Sequence, residues 1–183
     1  MPKTEVLSPA GSYEALVAAV RGGCDAVYVG AKEFSARANA KNFDAQELKK
    51  AADYCHLHNV KIYQAINTVV LDQQLPQLYE TLKTACEIGI DAIIVQDLAV
   101  AFAVKELCPS MPLHASTQMT IHSESGILFA KNCGFERGYD LIDEKDYEKL
   151  TNMINADSIN YSPPKTLSNK EIVRLLNEIK NGR

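Results

Sequence analysis

One short pattern recurs in this chain at a spacing that limits what it can become. Gly23-Cys24-Asp25-Ala26-Val27 and Gly89-Ile90-Asp91-Ala92-Ile93 each sit between the end of a helix signal and the start of a strand signal, and Gly134-Phe135-Glu136-Arg137 is a weaker third copy. Around these echoes the order strand, polar turn, helix repeats. Val6 to Ser8 reads as a strand, and Ser12 caps a helix to about Arg21. Ala26 to Val29 is the second strand. Asp44 with Glu47 makes a capping box opening a helix to about His58. Val60 to Asn67 is the third strand, followed by a helix from Gln73 to Ile88. Asp91 to Val95 is the fourth, with Asp97 capping the helix Leu98 to Leu107. Pro112 to Ser116 is the fifth, and Ser123 to Cys133 the next helix. Strands alternating with helices pair in parallel, because each helix returns the chain to the edge it left. The first strand-to-helix turn carries no glycine-rich phosphate fingerprint, which favours a barrel over a doubly wound nucleotide-binding sheet. The expected fold is therefore α/β: a partial parallel TIM-type (β/α) barrel of five or six units in residues 1–137. A charged helical insertion or tail follows in residues 138–183. There Ser168 and Glu171 form a capping box, and Ile172, Leu175, Leu176 and Ile179 give an apolar stripe.

Composition narrows the class. At 183 residues, 46% hydrophobic and 23% charged, the chain suits one globular domain with an appendage. A net charge of −4 gives no general electrostatic reason to bind nucleic acid, though a local basic patch is compatible with it. No apolar run is long enough to span a membrane, and MPKTEVLSPAG has no signal-peptide pattern. The five cysteines, Cys24, Cys55, Cys86, Cys108 and Cys133, are odd in number and lack a C-x-x-C pair, so they read as reduced thiols in a cytoplasmic protein. No metal set is expected. His56 and His58 point in different directions along a helix end, and the sequence has neither H-E-x-x-H nor a glycine-framed nucleophilic serine.

In a parallel barrel the chemistry gathers at the C-terminal ends of the strands. The residues placed there include Asn67, Gln96 with Asp97, and Ser116 with Gln118. Side chains alternate along a strand, so Leu113 and Ala115 suit the helix layer while His114 and Ser116 face the barrel interior or its mouth. His114 is the candidate for acid–base work, since a histidine can move a proton near neutral pH. Asn67, Gln96, Asp97, Ser116 and Gln118 are candidate substrate-binding groups. Arg37, in the loop AKEFSARANAKNF with Lys32 and Lys41, offers a two-pronged cation for an anionic ligand. Neutral hydrogen-bonding groups beside such a cation suit a polar planar group, a base or a carboxylate such as a small anionic metabolite carries. Each residue also has a plainer reading: His114 as a core histidine, Asp97 as a helix cap, Asn67 as a turn-fixing residue, the basic loop as a solvated lid.

Several stretches together resemble the collagenase-like peptidase family, family 32 of the peptidases of unassigned mechanism. They are EVLSPAGSYEALVAAVRGGCDAVYVGAKEFSARANAKNF, INT at Ile66 to Thr68, IIVQDLAV at Ile93 to Val100, and LHASTQMTIHS at Leu113 to Ser123. The resemblance runs from about Glu5 to Arg137. It implies a TIM-type barrel opening a longer protein. Some members are labelled proteases. Others help hydroxylate uridine in tRNA or cytidine in ribosomal RNA, with prephenate implicated, and relatives serve in quinone hydroxylation. Several hold an iron–sulfur cluster through four cysteines in a later region that none of the five cysteines here matches, so no cofactor is expected in this chain. After Arg137 the chain departs from the family pattern: an apolar strand with an Arg-Glu pair is replaced by GYDLIDEKDYEKL. That reads either as an insertion to about Asp157, with SINYS as a degraded sixth strand, or as an unrelated tail. The functions in contention are RNA hydroxylation, peptidase action, and a truncated non-catalytic interaction module. Five or six units leave sheet edges that a tail or a second copy, as a homo-oligomer, would cover.

Overall fold

The computed structural model describes residues 5–36, 42–121 and 123–136. Five strands form one sheet in the order β1-β2-β3-β4-β5, and every neighbouring pair is parallel. The strands are β1 Leu7–Ala10, β2 Ala26–Gly30, β3 Lys61–Ile66, β4 Ala92–Val95 and β5 Leu113–Ala115. The helices are α1 Tyr13–Arg21, α2 Ala45–Leu57, α3 Leu75–Ile88, α4 Leu98–Leu107 and α5 Glu124–Asn132. Five consecutive βα units, the architecture the alternation predicts, therefore run from β1 to α5. The predicted helical tail at 138–183 lies outside the described residues.

The recurring Gly-x-Asp pattern has a mechanical meaning. Gly23, Gly89 and Gly134 all adopt a left-handed backbone, φ 84°, 86° and 88°, each just after a helix. Glycine occupies this region without the clash a Cβ brings. In the α2–β3 connection, where no echo is legible, Asn59 takes the same conformation at φ 56°. Asparagine is among the few other residues that tolerate it. The aspartate then reaches back to the preceding strand: Val6 N–H donates to Asp25 Oδ2 at 2.9 Å, and Ile62 N–H donates to Asp91 Oδ2 at 2.8 Å. The third copy begins a sixth strand position, for Phe135 bridges Leu113 in parallel and Glu136 N–H donates to the Leu113 carbonyl at 2.9 Å. All these contacts lie at the N-terminal ends of the strands, the face of a barrel that serves stability.

Strand alternation divides the core. Val27, Val29, Ile62, Ile66, Ile93, Val95 and Leu113 face the helices and pack with Leu16, Leu48, Leu78, Leu82, Val100 and Val104. Ala26, Tyr63 and Ala92, with Tyr28 and Ile94, make a smaller cluster on the inner face.

Three expectations need correction. β1 extends to Ala10 instead of ending at Ser8. Pro9 reads as a turn signal, yet among the described residues β1 has a strand neighbour on one side alone, where a residue without an N–H is tolerated. Helix α3 starts two residues later than predicted, after a 3-10 turn at Asp72–Gln74. The expectation of five reduced thiols also fails: Cys86, in the last turn of α3, and Cys108, which closes α4, form a disulfide, and Cys24, Cys55 and Cys133 are free. The two lie on neighbouring helices, a proximity that residue spacing does not reveal. Among the described residues, no helix is long and apolar enough to cross a membrane.

Candidate active site at the strand ends

Strand register sets the polar strand-end residues side by side. Ile66 pairs with Val95, and Val95 with Ala115. One residue further along, Asn67, Gln96 and Ser116 therefore stand level at the ends of three adjacent strands. Parity puts them on the inner side, since Tyr63 and Ala92 belong to the inner cluster and each lies an even number of residues away. His114, two residues before Ser116 on β5, shares that side: its ring meets the Tyr63 ring edge-on, centroids 4.7 Å apart and planes at 84°. The Tyr63 hydroxyl in turn donates to the Glu5 carboxylate, at 3.1 and 3.2 Å to its two oxygens. His114 is half-buried and Tyr63 is buried.

Several candidates are already committed to the backbone. Asn67 clamps the loop after β2: its N–H donates to the Phe34 carbonyl at 2.9 Å, and its Oδ1 accepts from Ala36 N–H at 3.1 Å. Phe34 pays for this with φ 58°, a strained conformation for a bulky residue. Asp97 caps α4 by accepting from Ala99 N–H at 2.9 Å, and its second oxygen accepts from Val70 N–H at 3.0 Å, tying down the loop after β3. Ser116, 7% exposed, accepts from Gln118 N–H at 3.2 Å and so caps the 3-10 turn Thr117–Met119. Gln118 lies in that turn and is exposed. Thr120, which ends the turn, has φ 54°, so strained residues flank the strand ends on two sides. Gln96 is half-buried at the end of β4. Arg37 lies outside the described residues.

The strand-end group thus divides in two. Asn67, Asp97 and Ser116 hold loops in place, while His114 and Gln96 are half-buried side chains of the inner side. Sequence reasoning missed Tyr63 and Glu5. Tyr63 was legible in principle, because it shares the strand parity of Asn67; Glu5 was not, because its partner is 58 positions away. Gly30 completes the wall. A Cβ there would meet Ser35 Oγ at 2.4 Å and Asn42 Oδ1 at 2.8 Å, so a glycine lets the loop after β2 fold over the strand end.

The described residues do not fit an iron–sulfur cluster. Burial pushes the Cys24 thiol up and the Cys55 thiol up to about 12, two of the remaining cysteines are joined to each other, and among the described residues no group of three or more His, Cys, Asp or Glu side chains gathers to hold a metal.

Comparison with known proteins agrees with this architecture. The chain matches peptidase family U32 over residues 11–139. It is 41% identical over 121 residues to an uncharacterized protease of Methanocaldococcus jannaschii, covering 66% of this chain and 29% of that protein. It is 35% identical over 126 residues to a collagenase of Porphyromonas gingivalis, covering 68% and 30%. It is 31% identical over 135 residues to tRNA hydroxylation protein P1 of Bacillus subtilis, covering 74% and 32%. The chain thus spans about a third or less of the length of these curated relatives. Among solved structures, a U32 peptidase superposes with a TM-score of 0.62 at 13% identity, over 98% of this chain and 78% of that one. A type I 3-dehydroquinate dehydratase of Clostridium difficile superposes with a TM-score of 0.52 at 12% identity, over 98% and 70%, a likeness of fold. With the family matched across most of the chain and five parallel βα units in place, this chain belongs to peptidase family U32.

Proposed function

We propose that the chain supplies barrel units of a cytoplasmic RNA hydroxylation factor acting on tRNA uridine, with His114 and Gln96 contacting the base or a small anionic co-substrate. The observation that carries this is the shared inner side of His114 and Gln96 beside the strand ends, where Asn67, Asp97 and Ser116 hold the surrounding loops. A half-buried amide and imidazole offer both donors and acceptors to a planar polar ring. The imidazole is the group of this pair able to move a proton near neutral pH. Arg37 is proposed as the cation that meets a carboxylate or phosphate. Relatives named for tRNA hydroxylation and for ribosomal 5-hydroxycytidine synthesis support the reaction class.

The test is nucleoside mass spectrometry of tRNA from cells lacking the gene and from cells complemented with it. Loss of hydroxylated uridine, restored by the wild-type gene and not by His114→Gln, is the expected result. His114→Gln should melt within about a degree or two of wild type, because a half-buried ring is replaced by another polar side chain. Unchanged tRNA after deletion would overturn the proposal. Gelatin digestion by the purified protein, lost on the same substitution, would favour the peptidase reading that the collagenase relative suggests.

A further inference from the structure

A cavity lies on the helix-facing side of the sheet. It has a volume of about 360 Å³ and opens between the N-terminal halves of α2 and α3, beside the loop after β2. This is within the range of small-molecule sites. Its apolar wall includes Phe43 and Leu48, both buried. Its polar lining includes Lys32, Glu33, Asp44 and Glu80, with Thr81 and Thr84 along one face of α3. Gln64 also lines it. Strand parity explains that placement, since Gln64 lies between Tyr63 and Ala65 and shares the helix-facing side of Ile62 and Ile66.

Gln64 is the anomaly. It is 1% exposed in a layer otherwise filled by apolar side chains, and its Oε1 is the buried side-chain polar atom among the described residues that has no hydrogen-bond partner. An unmet buried acceptor costs on the order of 1–3 kcal/mol, and a leucine there would avoid that cost. Charge around the cavity is also unbalanced. Lys32 is ion-paired with Asp44 at 3.1 Å, and Asp44 is further engaged by the Glu47 N–H at 2.9 Å. Among the described lining residues, Glu33 and Glu80 are then an excess of two negative charges over an apolar wall, and both are exposed at the rim.

We propose that this cavity is a binding site for a small aliphatic amine, separate from the strand-end site. One N–H group would donate to the Gln64 carboxamide oxygen, the aliphatic body would lie on Phe43 and Leu48, and a second ammonium would sit between Glu33 and Glu80. An anion is disfavoured by those two carboxylates, and a purely apolar ligand would leave the carboxamide unmet.

The probe is 1,4-diaminobutane, with succinate as a control of like length and opposite charge, titrated into the full chain and followed by amide and side-chain NMR shifts. Saturable shifts at Gln64, Thr81 and Thr84 with the diamine, and none with succinate, are expected. Two variants separate binding from packing. Gln64→Leu removes the carboxamide and keeps the volume; it should weaken diamine binding at least about tenfold without loss of melting temperature. Glu80→Lys alters an exposed residue and should weaken binding similarly; it carries the test if Gln64→Leu does not fold. No saturable shift at millimolar diamine, equal response to succinate, or undiminished binding in the variants that fold would overturn the proposal, leaving the cavity to water alone.

Discussion

At the scale of single residues, the strand-end polar groups do two different jobs, and mutation should separate them. Asp97 accepts from two backbone N–H groups in two different segments. Asp97→Ala should therefore cost about 1.5–5 kcal/mol in urea unfolding, the sum expected for a lost helix cap and an orphaned loop N–H. Gln96→Ala, with no cap to lose, should stay within about 1 kcal/mol of wild type in the same experiment. Buried thiols give a second prediction. Cys24 and Cys55 are buried and held protonated, whereas Cys133 is half-buried. Alkylation of the native protein at mildly alkaline pH should modify Cys133 well before the other two. The linkage has a definite sign. A Cys55 thiol pushed up to about 12 keeps its proton in the folded state while the unfolded thiol, with an ordinary value of 9.0, loses it. Stability should be undiminished by this group below pH 9 and fall as pH rises from there toward 12, measurable as a declining melting temperature. The polar strand ends themselves were legible, because period-two alternation identifies which side chains share a side. Their partners were not: Asn67 binds Ala36 and Asp97 binds Val70, pairs 31 and 27 positions apart that no local pattern announces.

At the scale of elements, the Gly-x-Asp echo shows why the helices were easy to place and β1 was not. The two full echoes each combine a left-handed stop with a carboxylate that pins the preceding strand, and both signals are local in sequence. Pro9 in β1 imitates a turn, and among the described residues no helix leads into the strand, so its extent follows from pairing with β2 that local chemistry does not encode. Asn59 fills the glycine role between α2 and β3 without the motif. Gly89→Ala should cost about 1–2 kcal/mol by thermal or chemical unfolding, because a Cβ is placed in the left-handed region. Asn59→Gly should be close to neutral in the same assay, since the backbone conformation it needs is one glycine adopts freely. A larger loss at Asn59 than at Gly89 would remove the equivalence between the two connections.

At the scale of the whole molecule, α3 and α4 are joined covalently through Cys86 and Cys108, which are 22 positions apart. Thiol titration in denaturant should count three reactive cysteines without reductant and five after it. A count of five in both would dissolve the disulfide and restore the expectation of reduced thiols drawn from cysteine spacing. The sheet carries another consequence. Its spatial order is the same as its order along the chain. Each strand after the first docks beside the one made just before it, and the helix between them is all the polypeptide needed to reach that edge. Assembly can therefore keep pace with synthesis on the ribosome: a unit leaving the exit tunnel meets a template already built, and Asp25 and Asp91 pin the chain at the starts of β1 and β3 as the following units arrive.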